Sequence, residues 1–120
     1  MGYRSNVRIL ITKEDFDKLL QGCKTRNIDL LDTENLQVNT TRTGIDFETK
    51  NKIEYKYFGW DDIKWYTEFE DVGYIDGFIR ELDEVHFIRI GEELDDIKEF
   101  YNLERSNVEC IGLIRDFEEL

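Results

Sequence analysis

Apolar residues recur along this chain in short runs that predict strands. The runs at residues 7–11, 85–90 and 108–114 are rich in β-branched and aromatic side chains, as is typical of sheets. Residues 36–58 predict a meander of two or three antiparallel strands, because glycine- and asparagine-containing breaks separate their apolar runs. Residues 95–101 favour a returning hairpin strand after a glycine turn, with a short helix as the alternative.

Two further segments show the spacing of amphipathic helices. Thr12 is a good N-cap, and apolar side chains follow it at i, i+3, i+4 and i+7: Phe16, Leu19, Leu20 and Cys23. The second helix is expected to open with a capping box, in which Thr67 and Glu70 satisfy backbone donors reciprocally. Its apolar stripe consists of Phe69, Val72, Ile75, Ile79 and Leu82.

This order of elements predicts an α+β fold. Residues 1–120 are expected to form a single domain of two layers, a mostly antiparallel sheet with two helices on one face. A ferredoxin-like variant is the nearest named architecture. A chain of 120 residues can bury a core without disulfides, and Cys23 and Cys110 are expected to be reduced and buried.

The charge of the chain is concentrated in one segment. The net charge is −12, and residues 60–104 carry 15 acidic and 4 basic side chains, a net of −11. Such a field repels nucleic acids and anionic lipids and attracts a basic protein surface. No apolar run reaches the roughly 18 residues of a membrane span, so we expect a cytoplasmic protein without membrane contact.

The acidic segment has two interpretations. It either keeps the protein soluble, or it occupies a groove that normally binds nucleic acid, since carboxylates about 5–6 Å apart on a folded surface resemble a phosphate backbone. In the second interpretation the partner-binding residues are Glu92, Glu93, Asp95, Asp96, Glu99, Asp61 and Asp62, with Trp60 and Trp65 as anchors. The dense aromatic stretch at residues 55–66 favours the core over an interface for both tryptophans.

No residue pattern indicates catalysis. His86 is the single histidine, and its place in an apolar strand favours a packed core residue over a metal ligand or a base paired with a cysteine. The carboxylates of residues 92–99 lack the spacing of an EF-hand loop. We therefore expect a protein that is not an enzyme and has no cofactor and no metal site.

Three motifs carry a resemblance. Met1-Gly2-Tyr3-Arg4-Ser5-Asn6-Val7, followed by Asp62-Ile63-Lys64-Trp65-Tyr66 and by Phe87-Ile88-Arg89-Ile90-Gly91-Glu92, resembles a group of short proteins of tailed bacteriophages and prophages. The resemblance extends over most of the chain in order and spacing, and it implies no catalytic residues. It implies a viral protein acting in the bacterial cytoplasm, where small acidic proteins often inhibit host defences, as anti-CRISPR proteins do.

These observations lead to two hypotheses on function. The first is a non-enzymatic inhibitor that binds a basic host protein, such as a CRISPR effector, through an acidic surface that mimics DNA. The alternative is a structural or regulatory accessory protein of the phage, with homodimerisation left open, whose acidity serves solubility. In neither case do we expect direct nucleic-acid binding.

Overall fold

The computed structural model describes residues 2–93 and 95–118. Its elements follow the chain in this order: β1 (Ser5–Thr12), α1 (Lys13–Thr25), β2 (Val38–Ile45), β3 (Lys52–Ile63), α2 (Glu70–Arg80), β4 (Val85–Ile90), β5 (Ile97–Asn102) and α3 (Leu113–Glu118). None of the described helices is both long and apolar enough to cross a membrane.

The five strands form one antiparallel sheet in the order β2-β3-β1-β4-β5. The predicted α+β fold with an antiparallel sheet is therefore confirmed. Without β5, the element order β-α-β-β-α-β and the sheet order are those of the ferredoxin-like arrangement. The meander has two strands, and the expected hairpin after Gly91 is present, because β5 pairs with β4 from Ile97 to Asn102.

Successive side chains of β1 point to opposite faces of the sheet, and both faces are buried at this strand. Val7, Ile9 and Ile11 point to the face that α1 and α2 cover, where the larger apolar cluster lies. Arg8 and Leu10 point to the opposite face. Because β1 is the central strand, its apolar residues are completely buried on both sides.

The first helix begins as predicted and the second does not. Thr12 caps α1, since its hydroxyl accepts a hydrogen bond from the backbone N–H of Asp15 at 3.1 Å. The capping box at Thr67 is wrong: α2 begins at Glu70, and its N-cap residue Phe69 makes no side-chain cap. A turn closed by the Phe69 N–H and the Tyr66 carbonyl holds Thr67 away from the cap position.

That turn packs closely against α2. A Cβ atom at position 73 would lie 2.5 Å from the Thr67 carbonyl oxygen, so Gly73 is required there. Gly77 has open space around it. Of the two glycines in this helix, only Gly73 therefore serves close backbone approach.

The opposite face of the sheet is covered by residues 103–118, which we call the C-terminal strap. The predicted strand at residues 108–114 is wrong, because this segment is irregular up to α3. Its apolar side chains still reach the core, where Leu103, Val108 and Ile111 are buried. The strap lies across the face of the sheet, and several of its backbone donors bind side chains, as the Val108 N–H bonds to the Ser106 hydroxyl.

His86 joins the strap to the sheet. Its imidazole is buried, as predicted, and Nδ1 accepts the backbone N–H of Ile111 at 3.1 Å. Because that nitrogen is an acceptor, Nε2 carries the proton and donates to the Glu99 carboxylate at 2.5 Å. His86 is thus a structural residue of the core.

The two cysteines differ in their environments. Cys23 is buried on α1, as expected, and burial raises the pKa of its thiol to about 11. Cys110 is exposed on the strap, so its expected burial is wrong. The irregular strap turns this side chain away from the sheet, whereas the neighbouring Ile111 packs inward.

Asp46 fastens the β2–β3 loop to the strap. Its Oδ1 accepts the backbone N–H groups of Glu48 and Thr49 at 2.8 and 3.0 Å, and its Oδ2 accepts Nε of Arg105 at 2.9 Å. Hydrogen bonds from the Thr49 backbone and the Arg105 guanidinium lower the pKa of the carboxyl to about 2. The carboxylate therefore stays charged over most of the acid range.

We predict that Asp46→Asn lowers the free energy of unfolding at pH 7, because the amide keeps an oxygen acceptor but loses the charge. Because the pKa of Asp46 is lower in the folded than in the unfolded protein, its charge stabilises the fold at pH values above the ordinary pKa near 4. This stabilisation is lost as the pH falls towards the pKa of the folded state. The difference between wild type and variant should shrink between about pH 4 and about pH 2. Urea denaturation across this range measures it, with Glu48→Gln as the control. A difference that does not change with pH would contradict the assignment.

Candidate acidic interaction surface

The sheet brings two acidic parts of the chain to one end. Ser5, at the start of β1, pairs with Ile63 of β3, and Asn6 pairs with Ile90 of β4. The end of β3 and the β4–β5 turn therefore flank the start of β1 on either side. We call the six carboxylates at this position the acidic sheet end: Asp61, Asp62, Glu92, Glu93, Asp95 and Asp96.

Side-chain contacts to the start of β1 fix both flanks. The backbone N–H of Asp62 donates to Asn6 Oδ1 at 2.9 Å, and the Glu92 carboxylate accepts the backbone N–H of Arg4 at 3.2 Å. Neighbouring strands lie about 4.8 Å apart, so β3 and β4, on either side of β1, are separated by about 10 Å. Charges about 30 positions apart in the sequence thereby share one surface.

Four of the six carboxylates are free to contact a partner. Asp62, Glu92, Glu93 and Asp95 are exposed, and none of them forms an ion pair with any residue in the described ranges. Asp62 has a φ of 53°, a left-handed backbone conformation that aspartate tolerates better than most residues. It lies at a register shift in the β1–β3 pairing, between the Val7–Trp60 and Ser5–Ile63 pairs.

Asp61 is instead the counter-ion of a buried arginine. The Arg8 guanidinium is completely buried, and its Nη2 donates to Asp61 at 2.7 Å. Its Nη1 donates to the Val7 and Trp60 carbonyls at 3.0 and 3.1 Å. Gly59 lies opposite Arg8 in the sheet, and a Cβ there would come within 3.0 Å of the arginine Cδ. Asp61 therefore has a structural role, as the counter-ion of Arg8, that does not depend on a partner.

Asp96 organises the β4–β5 turn. Arg89 binds both its carboxylate oxygens, with Nη2 at 2.8 Å and Nη1 at 3.3 Å, and the Tyr3 hydroxyl donates to it at 2.6 Å. The Arg89 and Tyr3 hydrogen bonds lower the pKa of the Asp96 carboxyl, and the same contact raises the pKa of Tyr3. Tyr3 also accepts the backbone N–H of Glu93 at 3.1 Å. These hydrogen bonds connect Asp96 and the Glu93 backbone to Tyr3 and Arg89.

Gly91 is required by this arrangement. A Cβ at position 91 would lie 2.2 Å from a carboxylate oxygen of Asp96 and 2.3 Å from the Tyr3 hydroxyl. Sequence analysis missed Tyr3 and Arg89 as organisers of the turn. Both occur in the motifs quoted for the phage resemblance, but their contact with Asp96 depends on the pairing of β1 with β4.

Trp60 and Trp65 lie in the core, and Glu99 binds a core residue. The two indole centroids are 5.2 Å apart, and Trp60 is 2% and Trp65 8% exposed. The Trp60 N–H donates to the Leu30 carbonyl at 2.9 Å. Both tryptophans thus follow the favoured core interpretation, and burial leaves neither of them on the surface as an anchor. Glu99 lies on exposed β5, and its carboxylate binds His86.

A cleft of about 560 Å³ extends the acidic surface towards α2. Its charged lining has four carboxylates and two cations: Asp29, Asp61, Asp62, Asp71, Arg4 and Lys64. Phe69 contributes an apolar side chain that is 42% exposed. Sequence analysis missed this extension, because Asp29 lies in an irregular connection whose position depends on packing. An exposed aromatic side chain beside carboxylates was expected at Trp60 and Trp65, and the structure has it at Phe69 instead.

Within residues 2–93 and 95–118, no three His, Cys, Asp or Glu side chains are grouped so that they could hold a metal ion. The acidic residues at this end are spread over separate strands and turns.

No protein-family model, curated protein or solved structure matches this chain. The resemblance to phage proteins stays a prediction.

We predict that Asp61→Ala and Asp62→Asn differ in their effect on stability. Removing Asp61 leaves the buried Arg8 guanidinium without its counter-ion, which should lower the free energy of unfolding by about 1–3 kcal/mol. Asp62→Asn removes an exposed charge and retains a residue that accepts a left-handed φ, so we expect a change within about 0.5 kcal/mol. Urea denaturation of both variants measures the difference. Equal values would contradict the structural role of Asp61.

Proposed function

We propose that this protein is a non-enzymatic inhibitor, encoded by a phage or prophage, of a host defence protein that handles nucleic acid, such as a CRISPR effector. The acidic sheet end binds a basic groove of that protein and excludes its nucleic acid. The observation that carries the proposal is the convergence of Asp62, Glu92, Glu93 and Asp95, exposed and outside any ion pair with the described residues, at one end of the sheet.

Electrostatics favour such a partner. A segment of net −11 raises the local concentration of basic surfaces and speeds association. The effect reaches about 10 Å at 0.1 M salt and falls to about 3 Å at 1 M. Binding should therefore be fast and sensitive to salt.

Rigidity supports the same role. The hydrogen bonds of Asp96 with Arg89 and Tyr3, and of Tyr3 with the Glu93 N–H, hold backbone of the β4–β5 turn, which reduces the backbone entropy lost on binding. Phe69 in the adjoining cleft supplies an apolar contact next to the charges. A partially exposed aromatic residue beside a charged rim is the pattern of an interface hot spot.

The phage setting comes from the resemblance of three motifs in the sequence, and the anti-CRISPR assignment comes from size, charge and that setting. The exposed carboxylates of the acidic sheet end support a partner with a basic groove.

We predict that replacing Glu92, Glu93 and Asp95 with lysine abolishes inhibition and lowers the association rate with the partner by about ten- to a hundredfold. Asp96 is left intact because it organises the turn. The partner is captured from a lysate of the bacterial host at low salt, and association is then measured at low and high salt. The captured protein's own duplex DNA or RNA should compete with the inhibitor.

The matched control reverses three exposed carboxylates at the other end of the sheet, Glu48, Glu54 and Glu104, and changes the net charge equally. We expect the control to retain most of the inhibition, because its lysines lie away from the acidic sheet end. Equal losses in both triple variants would show that only net charge matters. Affinity that is unchanged between low and high salt would overturn the proposal.

A second candidate function has its own observation. Strand β5 is an edge of the sheet, with no partner beyond β4 in the described ranges, and its Ile97 and Tyr101 side chains are exposed. An open edge with exposed apolar residues favours pairing with a second copy, as in a homodimeric phage accessory protein. Sedimentation equilibrium together with the lysine triple variant distinguishes the two functions, since a homodimeric accessory protein is expected to be a dimer and to remain active in that variant.

A further inference from the structure

The few cations of the acidic segment are gathered in one place. Residues 60–104 contain four basic side chains, Lys64, Arg80, Arg89 and Lys98. Three of them, all except Lys64, line a single cleft of about 400 Å³ between the start of β1, α2 and the β4–β5 hairpin. We call it the cationic cleft and define it by Trp65, Tyr66, Arg80, Phe87, Arg89 and Lys98. In a segment of net −11, this grouping indicates a local preference for anions.

Arg80 is held in a way that leaves its binding face free. Its Nε donates to Asp76 at 2.7 Å, one turn earlier on α2, and its guanidinium lies 4.8 Å from the Phe100 ring centroid. Within residues 2–93 and 95–118, Nη1 and Nη2 have no hydrogen-bond partner. Two parallel Nη donors are the geometry that binds carboxylate and phosphate in a bidentate manner.

The carboxylates in the cleft are already neutralised. Asp76 pairs with Arg80, and Asp96 pairs with Arg89. Lys98 has no ion-pair partner among the described residues and leaves one positive charge in excess. An incoming anion therefore meets Lys98 and the free side of Arg80 without facing an unpaired carboxylate.

Aromatic side chains form the walls. Trp65, Tyr66 and Phe87 line the cleft beside the cations. The indole N–H of Trp65 is buried and has no hydrogen-bond partner among the described residues. A buried donor without a partner is costly, so an acceptor oxygen that reaches the indole N–H from the cleft would offset that cost. The volume matches that of sites for small molecules.

We propose that the cationic cleft binds a small organic anion, with a phosphate or carboxylate head held by Arg80 and Lys98 and a flat apolar body against Trp65, Tyr66 and Phe87. This site is separate from the acidic sheet end in its chemistry, and it does not depend on the proposed inhibition.

Titration with four probes tests the proposal: phenyl phosphate, benzoate, inorganic phosphate and phenol. Binding is followed by tryptophan fluorescence, because Trp65 lines the cleft, and by amide chemical shifts. We expect the two probes that combine a ring with an anionic head to bind more tightly than phenol or inorganic phosphate. The tighter of these two identifies the head group as phosphate or carboxylate. No saturable change with either probe, or equal binding by phenol, would overturn the proposal.

Variants locate the site. Arg80→Gln and Lys98→Gln should each weaken binding by about ten- to a hundredfold, the value of a charge-assisted hydrogen bond. Lys98→Gln breaks no ion pair among the described residues and keeps the test valid if Arg80→Gln destabilises the fold. Arg26→Gln is the matched control, since Arg26, the C-cap residue of α1, also stacks on an aromatic ring, that of Tyr74 of α2. Equal weakening by the control, or none by Lys98→Gln, would place the anion elsewhere.

Discussion

The antiparallel pairing of β1 with both β3 and β4 is the constraint on which the rest of this structure depends. The register of β1 fixes which residues point to the helices and which point to the strap. A shift by one residue would exchange Val7 and Ile9 with Arg8 and Leu10, and would place the guanidinium beneath α1 and α2. The same register brings the end of β3 next to the end of β4, where the acidic surface lies.

Buried and half-buried arginines join the outer parts of the chain to this sheet. Arg8 binds Asp61 at the end of β3, and Arg89 binds Asp96 in the β4–β5 turn. Arg42 of β2 binds Asp116 of α3 and stacks over the Tyr57 ring at 4.2 Å. In each case an arginine on one strand forms an ion pair with a carboxylate on another strand, a turn or a helix. In this chain of net charge −12, three carboxylates therefore neutralise arginines of the sheet and contribute little to the exposed negative charge.

The Tyr3–Asp96–Arg89 contact lies between two neighbouring surfaces of opposite charge. On one side of the Tyr3–Asp96–Arg89 contact are the exposed carboxylates of the β4–β5 turn, and on the other is a cleft lined by Arg80 and Lys98. Asp96 serves both, since it holds the turn in place and neutralises Arg89. Because the network is made of charge-assisted hydrogen bonds, it keeps both surfaces in a fixed arrangement.

The sequence by itself determined the α+β class, the first helix with its Thr12 cap, the hairpin after Gly91 and the core position of His86. These features follow from local periodicity and capping, which depend on residues close in the chain. It also located the acidic segment. Only the tertiary structure decided that residues 108–114 cover a sheet face, that Asp61 and Asp96 are counter-ions, and that Arg80 and Lys98 share a cleft. Those outcomes depend on strand register and on contacts between residues far apart in the chain, which no local pattern encodes.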